Sequence, residues 1–257
     1  MELHLLGPVH ARRADGRPAS LGVRRQRFLL AVLALEANHL VTTQRMIELA
    51  WPEHPPASAR AVIHTNISGL RSLLARAGAE AAGLQLRTEG PGYLLRCPPE
   101  RVDAWRFLAL LREAEQTTED HRRLAGLQEA LNLWRGPVLA GVCDETVRAR
   151  LGGWLEEARL DATEQRIQLQ LRLGQRHRLA GELTRLVAEH PTRQRLVAQL
   201  MLTLYLDARV EEALAVYRQA SRRLADHLGI DPPAMLQRLQ VAILRQDPIL
   251  ISTPHFL

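Results

Sequence analysis

Between Ser58 and Arg96 the apolar pattern changes period once, and this change restricts the fold more than any other feature of the 257-residue chain. Ile63, Ile67, Leu70 and Leu74 are spaced 4, 3 and 4 apart, the stripe of one amphipathic helix. Pro52, Pro55 and Pro56 break helix just upstream, so Ser58 is expected to cap a helix that runs to about Ala77 and stops at Gly78. Leu84 and Leu86 then alternate with polar residues. Glu89-Gly90-Pro91-Gly92 is a turn, and Tyr93, Leu94 and Leu95 return as a second strand.

Upstream, Leu3, Leu5, Val9 and Ala11 loosely alternate, and Ala14-Asp15-Gly16-Arg17-Pro18 is a turn signal, so residues 2–22 read as a small antiparallel sheet. Phe28, Leu29, Val32, Leu33 and Leu35 predict a helix from Arg24 to Asn38. Val41-Thr42-Thr43 is a short extended entry, with Thr42 or Thr43 as N-cap of a helix over Gln44–Trp51. Sheet, helix, helix, turn, longer helix, hairpin is the order of a winged helix-turn-helix with an N-terminal sheet.

Cys97-Pro98-Pro99-Glu100 is the expected boundary, which gives domains 1–96 and 97–250 with a 251–257 tail. Beyond it strand signals almost vanish. Helices are expected at about 103–116, 119–135, 147–174, 177–189, 193–207, 210–228 and 232–246. Leu171-Arg172-Leu173-Gly174 and Leu204-Tyr205-Leu206-Asp207 begin two similar stretches at a period near 34, the period of tetratricopeptide helix pairs. The expected fold class is mainly α with a small β component: an α+β winged helix followed by an all-α, tetratricopeptide-like domain.

All 34 basic residues are Arg, and residues 1–96 hold 12 of them against 7 acids, net +5, whereas the remainder is net +1. A concentrated positive field attracts polyanions, DNA foremost. Cys97 and Cys143 are too few for a disulfide framework, the start lacks the pattern of a signal peptide, and no apolar run approaches a membrane span, so a reducing cytoplasm without membrane partners is expected. There is no phosphate loop, zinc pattern or nucleophile elbow, so neither an enzyme nor a cofactor is expected. Trp134-Arg135-Gly136-Pro137 reads as a structural helix stop, and Trp105, Trp154, Tyr205 and Tyr217 as core.

On the helix over 58–77, Ala61, Val62, Thr65, Ser68, Gly69 and Ser72 fall opposite the apolar stripe, with His64 and Arg71 on the flank. Small and polar residues suit a helix whose backbone must approach base edges. Arg60, His64 and Arg71 can reach phosphates or a guanine edge, Thr65, Ser68 and Ser72 can hydrogen-bond, and Arg87 is the cation of the hairpin.

Three N-terminal segments resemble the SARP-type regulators, the antibiotic regulatory activators of actinobacteria: Leu5-Leu6-Gly7-Pro8-Val9, Arg25-Gln26-Arg27, and Pro91-Gly92-Tyr93-Leu94-Leu95. Leu131-Asn132-Leu133-Trp134-Arg135-Gly136, Glu189-His190-Pro191, Ala213-Leu214-Ala215-Val216-Tyr217 and Leu228-Gly229-Ile230-Asp231-Pro232 are similar to their bacterial transcriptional activation domain, and Leu244-Arg245-Gln246-Asp247-Pro248 to its usual end. The resemblance implies an OmpR-like winged helix on double-stranded promoter DNA, contacted by Arg25, Arg60, His64, Thr65, Ser68, Arg71, Ser72 and Arg87. It also implies direct repeats near the −35 element, a homodimer or side-by-side protomers, and recruitment of RNA polymerase holoenzyme through its sigma factor and other subunits. Control of an antibiotic gene cluster from the cytoplasmic nucleoid follows from the same resemblance.

The chain departs from that pattern at Gly69, Ser72 and Glu89, where the resemblance leads one to expect Arg. Weaker intrinsic DNA affinity or a different operator follows. The alternative function is a protein-interaction scaffold whose winged helix is a docking module. Some relatives continue into a nucleotide-hydrolysing domain, whereas Ile249–Leu257 reads as an ordinary end.

Overall fold

A computed structural model describes residues 1–248 and Leu250; the expected tail, 251–257, lies outside the described residues. It is mainly helical with a small β component. The chain packs as two compact units, one of Met1–Thr117 with Ala125–Leu160, the other of Thr118–Leu124 with Asp161 onward. The Cys97–Glu100 segment therefore lies inside the first unit.

The first unit begins with a three-stranded antiparallel sheet, β1 (Glu2–His4), β2 (His10–Arg12) and β3 (Pro18–Ala19), in the order β1-β2-β3. Its register pairs Leu3 with Ala11 and Ala11 with Ala19, and these three residues are buried together. α1 (Arg24–Leu35) follows, and every residue from Phe28 to Leu35 is buried. Asn38 ends this segment in the left-handed region at φ 65°, which Asn tolerates better than most residues. Its side-chain amide donates to the Cys97 carbonyl (2.9 Å) and accepts from the Cys97 N–H (3.2 Å), so the same residue fastens the next sheet.

That sheet contains β4 (Val41–Thr42), β5 (Gln85–Glu89) and β6 (Gly92–Arg96), in the order β4-β6-β5. The hairpin pairs Leu86 with Leu95 and Thr88 with Tyr93. β4 pairs with β6 through Val41 and Tyr93. A Cβ on Gly92 would collide with the Val41 backbone carbonyl, so this close strand approach requires glycine. Two helices lie between β4 and β5. α2 (Thr43–Ala50) is capped by Thr42, whose hydroxyl accepts from the Arg45 N–H at 3.1 Å. α3 (Ala59–Arg76) buries Ala59, Ile63, Ile67, Leu70 and Leu74 against α1 and α2. The Ser58 side chain makes no capping hydrogen bond, contrary to expectation; the Ser58 carbonyl accepts from the Val62 N–H instead.

α4 (Asp103–Gln116), the part of α5 (Asp120–Asn132) from Ala125 onward and the start of α6 (Glu145–Arg172) complete the unit. Asp103, almost wholly buried, accepts from the N–H groups of Leu5 (2.7 Å) and Leu6 (3.2 Å) and from the Arg135 guanidinium (2.6 Å). The Trp105 indole donates to the Ala34 carbonyl at 2.9 Å, tying α4 to α1. Arg135 N–H donates to the Leu6 carbonyl and Leu139 N–H to the Leu5 carbonyl. Trp134 packs edge-on to Phe107, as its structural role requires. Trp154 departs from expectation: it is 46% exposed, not core.

The second unit is helical. α7 (Leu179–Glu189), α8 (Gln194–Leu206) and α9 (Val210–Leu228) pack in succession, and α10 (Ala234–Leu244) packs on α8 and α9. α8 is buried continuously from Leu196 to Leu204. Its two polar members are satisfied internally: Gln199 donates to the Glu164 carbonyl (2.8 Å) and Thr203 to the Gln199 carbonyl (2.7 Å). The two stretches aligned in the sequence have a structural counterpart one residue out of that register. Gly174 and Ala208, 34 residues apart, both adopt left-handed φ, at 70° and 61°. Around them the same two hydrogen bonds recur, Gly174 to Leu171 with Gln175 to Gln170, and Ala208 to Tyr205 with Arg209 to Leu204.

Candidate nucleic-acid interface

α3 divides along its length. Its buried stripe is fixed by packing, and the opposite side exposes Arg60, Ala61, His64, Thr65, Ser68, Arg71, Ser72, Ala75 and Arg76. From Arg60 to Ser72 this face extends about 18 Å at the helical rise, enough to lie along a major groove. Ala61, Thr65, Ser68 and Ser72 give it a low relief, so a partner can approach the helix backbone closely. Val62 and Gly69, placed outward by the helical wheel, are half-buried. Gly69 lies beneath the Gln26 amide, which a Cβ there would strike. Gln26 in turn accepts from the Val23 N–H at the start of α1 (3.0 Å), so the glycine makes room for an α1 cap.

The hydroxyls on this face are engaged within the helix. Thr65 donates to the Ala61 carbonyl (3.0 Å) and Ser72 to the Ser68 carbonyl (3.3 Å). Their oxygen lone pairs stay available as acceptors, and a rotation about χ1 converts either to an outward donor. Arg60 is exposed. Arg71 is held: Nε donates to the Leu86 carbonyl (3.0 Å), a terminal nitrogen donates to Thr88 Oγ1 (2.6 Å), and the guanidinium lies 5.9 Å from the Tyr93 ring centre. It thereby joins α3 to the hairpin while remaining exposed.

The other expected cations lie elsewhere. Arg87 follows Leu86 and precedes Thr88 on β5, so strand alternation turns it to the face opposite Thr88 and Arg71. There its guanidinium lies along its own strand, donating twice to Gln85 Oε1 (3.1 and 2.5 Å). Arg25, at the start of α1, stacks over Trp51 at 4.5 Å. The structure thus brings six of the eight expected residues onto one face, Arg60, His64, Thr65, Ser68, Arg71 and Ser72. Arg87 and Arg25 lie apart from it.

Sequence reasoning missed what holds this face from behind. Tyr93, 1% exposed, meets His64 Nδ1 through its hydroxyl at 2.5 Å. Burial pushes the Tyr93 phenol upward in pKa, with Arg71 and Arg60 partly opposing. Thr88 was also missed. No linear pattern announces either contact, because each joins residues that only the folded hairpin brings together.

Comparison with known proteins places the chain among bacterial regulators. The family model described as "Bacterial transcriptional activator domain" matches residues 102–244. Transcriptional regulatory protein EmbR of Mycobacterium tuberculosis is 36% identical over 257 residues, covering 97% of this chain and 64% of EmbR. Regulatory protein AfsR of Streptomyces coelicolor is 41% identical, covering 96% of this chain but 24% of AfsR. Regulatory protein DnrI of Streptomyces peucetius is 35% identical over 96% of this chain and 93% of DnrI. The chain thus spans nearly all of DnrI and less than two thirds of EmbR. A solved structure of M. tuberculosis EmbR in complex with a low affinity phosphopeptide superposes with a TM-score of 0.87 at 34% identity, over 98% of this chain and 67% of that one.

Proposed function

Because the chain belongs to the SARP-type family of bacterial transcriptional regulators, we propose that it is a sequence-specific, DNA-binding activator that recruits RNA polymerase. In this reading α2 and α3 form the helix-turn-helix of an OmpR-like winged helix, and β5–β6 is the wing. Residues 1–96 are the DNA-binding module. Residues 97–250 are the activation module, with tetratricopeptide-like helix pairs. α3 enters a major groove, Thr65, Ser68 and Ser72 contact base edges, and Arg60 contacts the phosphate backbone. Arg71 fixes the hairpin beside α3 and offers its remaining donors to a phosphate.

The single observation that supports this reading is the exposed face of α3, low in relief, hydroxyl-bearing, and flanked by Arg60 and Arg71. The placement of Arg87 refines it. That residue contacts DNA only after leaving Gln85, and the phosphate in question flanks the far side of the hairpin. Arg25 serves first to hold Trp51, and its DNA contact is subordinate to that stack.

Two protomers bind head to tail on a direct repeat near the −35 element, with a heterologous contact between them. The activation module engages sigma factor and other polymerase subunits. A coupling of about 1.4 kcal/mol between activator and polymerase raises promoter occupancy about tenfold. The resemblance to the antibiotic regulatory activators supports a secondary-metabolite gene cluster as the target, regulated at the nucleoid in the cytoplasm.

Mobility shift and footprinting of the whole chain on DNA upstream of its own gene test the proposal. A protected direct repeat is expected. Uniform, weak, sequence-independent binding contradicts it and favours the docking-scaffold reading, which the uncharged Ser72 and the acidic Glu89 support.

A further inference from the structure

His64 stands on the exposed face of α3, and its Nδ1 is 2.5 Å from the Tyr93 hydroxyl, with the two rings edge to face at 5.9 Å. Tyr93 lies on β6 and is buried. A buried hydroxyl needs an acceptor for its proton. Among the described residues, His64 Nδ1 is the hydrogen-bond partner of this hydroxyl. Were the imidazole proton on Nδ1, that nitrogen would donate to the phenol, and the phenolic proton would be left without an acceptor. Burial raises the phenol's pKa, so the proton stays on oxygen. Arg71 steadies the pair: by bonding Leu86 and Thr88 on β5, and lying over the Tyr93 ring, it holds the hairpin under His64.

We infer that Tyr93 acts as a positioning residue that fixes His64 in its Nε2–H tautomer, so that α3 presents a hydrogen-bond donor to a major-groove acceptor, a purine N7, guanine O6 or thymine O4, at this point of the groove. The unconstrained tautomer would instead offer a bare nitrogen, which matches the amino groups of adenine and cytosine. This inference rests on the proposed reading of α3 as the base-facing helix, and it names what one residue of that helix selects.

The test uses the full chain as wild type, H64A and Y93F, each selected against a randomised duplex library, together with nitrogen NMR of the histidine rings. Y93F keeps the buried ring and removes only the hydroxyl. In wild type the His64 ring is expected as Nε2–H, and in Y93F as a mixture of tautomers. H64A is expected to lose about fivefold to tenfold of the preference for an acceptor-bearing base at one position, and Y93F about twofold at the same position, because a mixture of tautomers leaves about half of the molecules with the donor, with preferences elsewhere kept. Three results overturn the inference: an Nδ1–H ring in wild type, a Y93F selection identical to wild type, or a loss uniform over all sequences, which marks a phosphate contact. A wild-type chain that selects no sequence overturns the DNA reading itself and this inference with it. If Y93F does not fold, the wild-type ring spectrum and the H64A selection decide.

Discussion

α3 and α8 are both rich in apolar residues, and the protein uses them in opposite ways. α8 is enclosed from Leu196 to Leu204, to the point that Gln199 and Thr203 are buried and hydrogen-bonded internally. α3 buries one stripe and leaves Ala61, Thr65, Ser68 and Ser72 in solvent. From Leu196 to Leu204 every side chain answers to its neighbours, so residue identity reports packing. On the outer face of α3 packing asks for nothing, and a run of short, polar side chains there reports what meets it from outside. Substitutions in the two helices should therefore separate cleanly into those that move stability and those that move recognition.

The largest expected effect lies in α8. Leu202→Ala empties space in a fully buried position and should cost about 2–5 kcal/mol in guanidinium unfolding. A cost under about 1 kcal/mol would mean that α8 is not enclosed at Leu202. Gly92→Ala comes next. It drives a methyl group into the Val41 carbonyl behind α3 and should cost about 1–3 kcal/mol, read as a lowered Tm.

On the outer face the readout changes. Arg60→Ala should leave unfolding unchanged, weaken binding to all duplexes alike, and reduce the log–log salt slope by about one. Thr65→Ala and Ser68→Ala should shift stability by less than about 0.5 kcal/mol while altering base preference in a library selection. If either instead unfolds the protein, the contrast between the two helices fails.

The smallest effect concerns a thiol. Burial, with Glu100 adding to it, pushes Cys97 up to about 11. At pH 8 only about one molecule in a thousand carries the thiolate, so alkylation followed by mass spectrometry should be slow and should accelerate as pH rises toward that value. Prompt labelling at pH 8 would show that the segment joining β6 to α4 opens readily.

The parts of the fold legible in the sequence are those set by local periodicity and stop signals. The stripe of α3 and the turn at Glu89–Gly92 follow from residues within one turn of each other, whereas the stretches 171–174 and 204–207 align one residue short of the register that matches Gly174 with Ala208. What remained hidden is polar and long-range. Asp103 binding Leu5, Leu6 and Arg135 spans up to 98 residues, and it places α4 in the first compact unit beside the N-terminal sheet. Arg71 reads as a free cation until the hairpin arrives beside it. Gly69 reads as a lost cation until Gln26 is seen above it. A single charge or amide carries no period, so its partner emerges only once the chain has folded.

Whether the outer face of α3 meets DNA is tested most directly by a photo-crosslinking residue placed at Ser72 of the full chain, bound to DNA from upstream of its own gene. Crosslinks to bases within a short direct repeat are expected, competed by the same repeat and not by scrambled duplex, with none from the same probe at exposed Glu129 on α5. Crosslinks from both positions alike, or from neither, would contradict it.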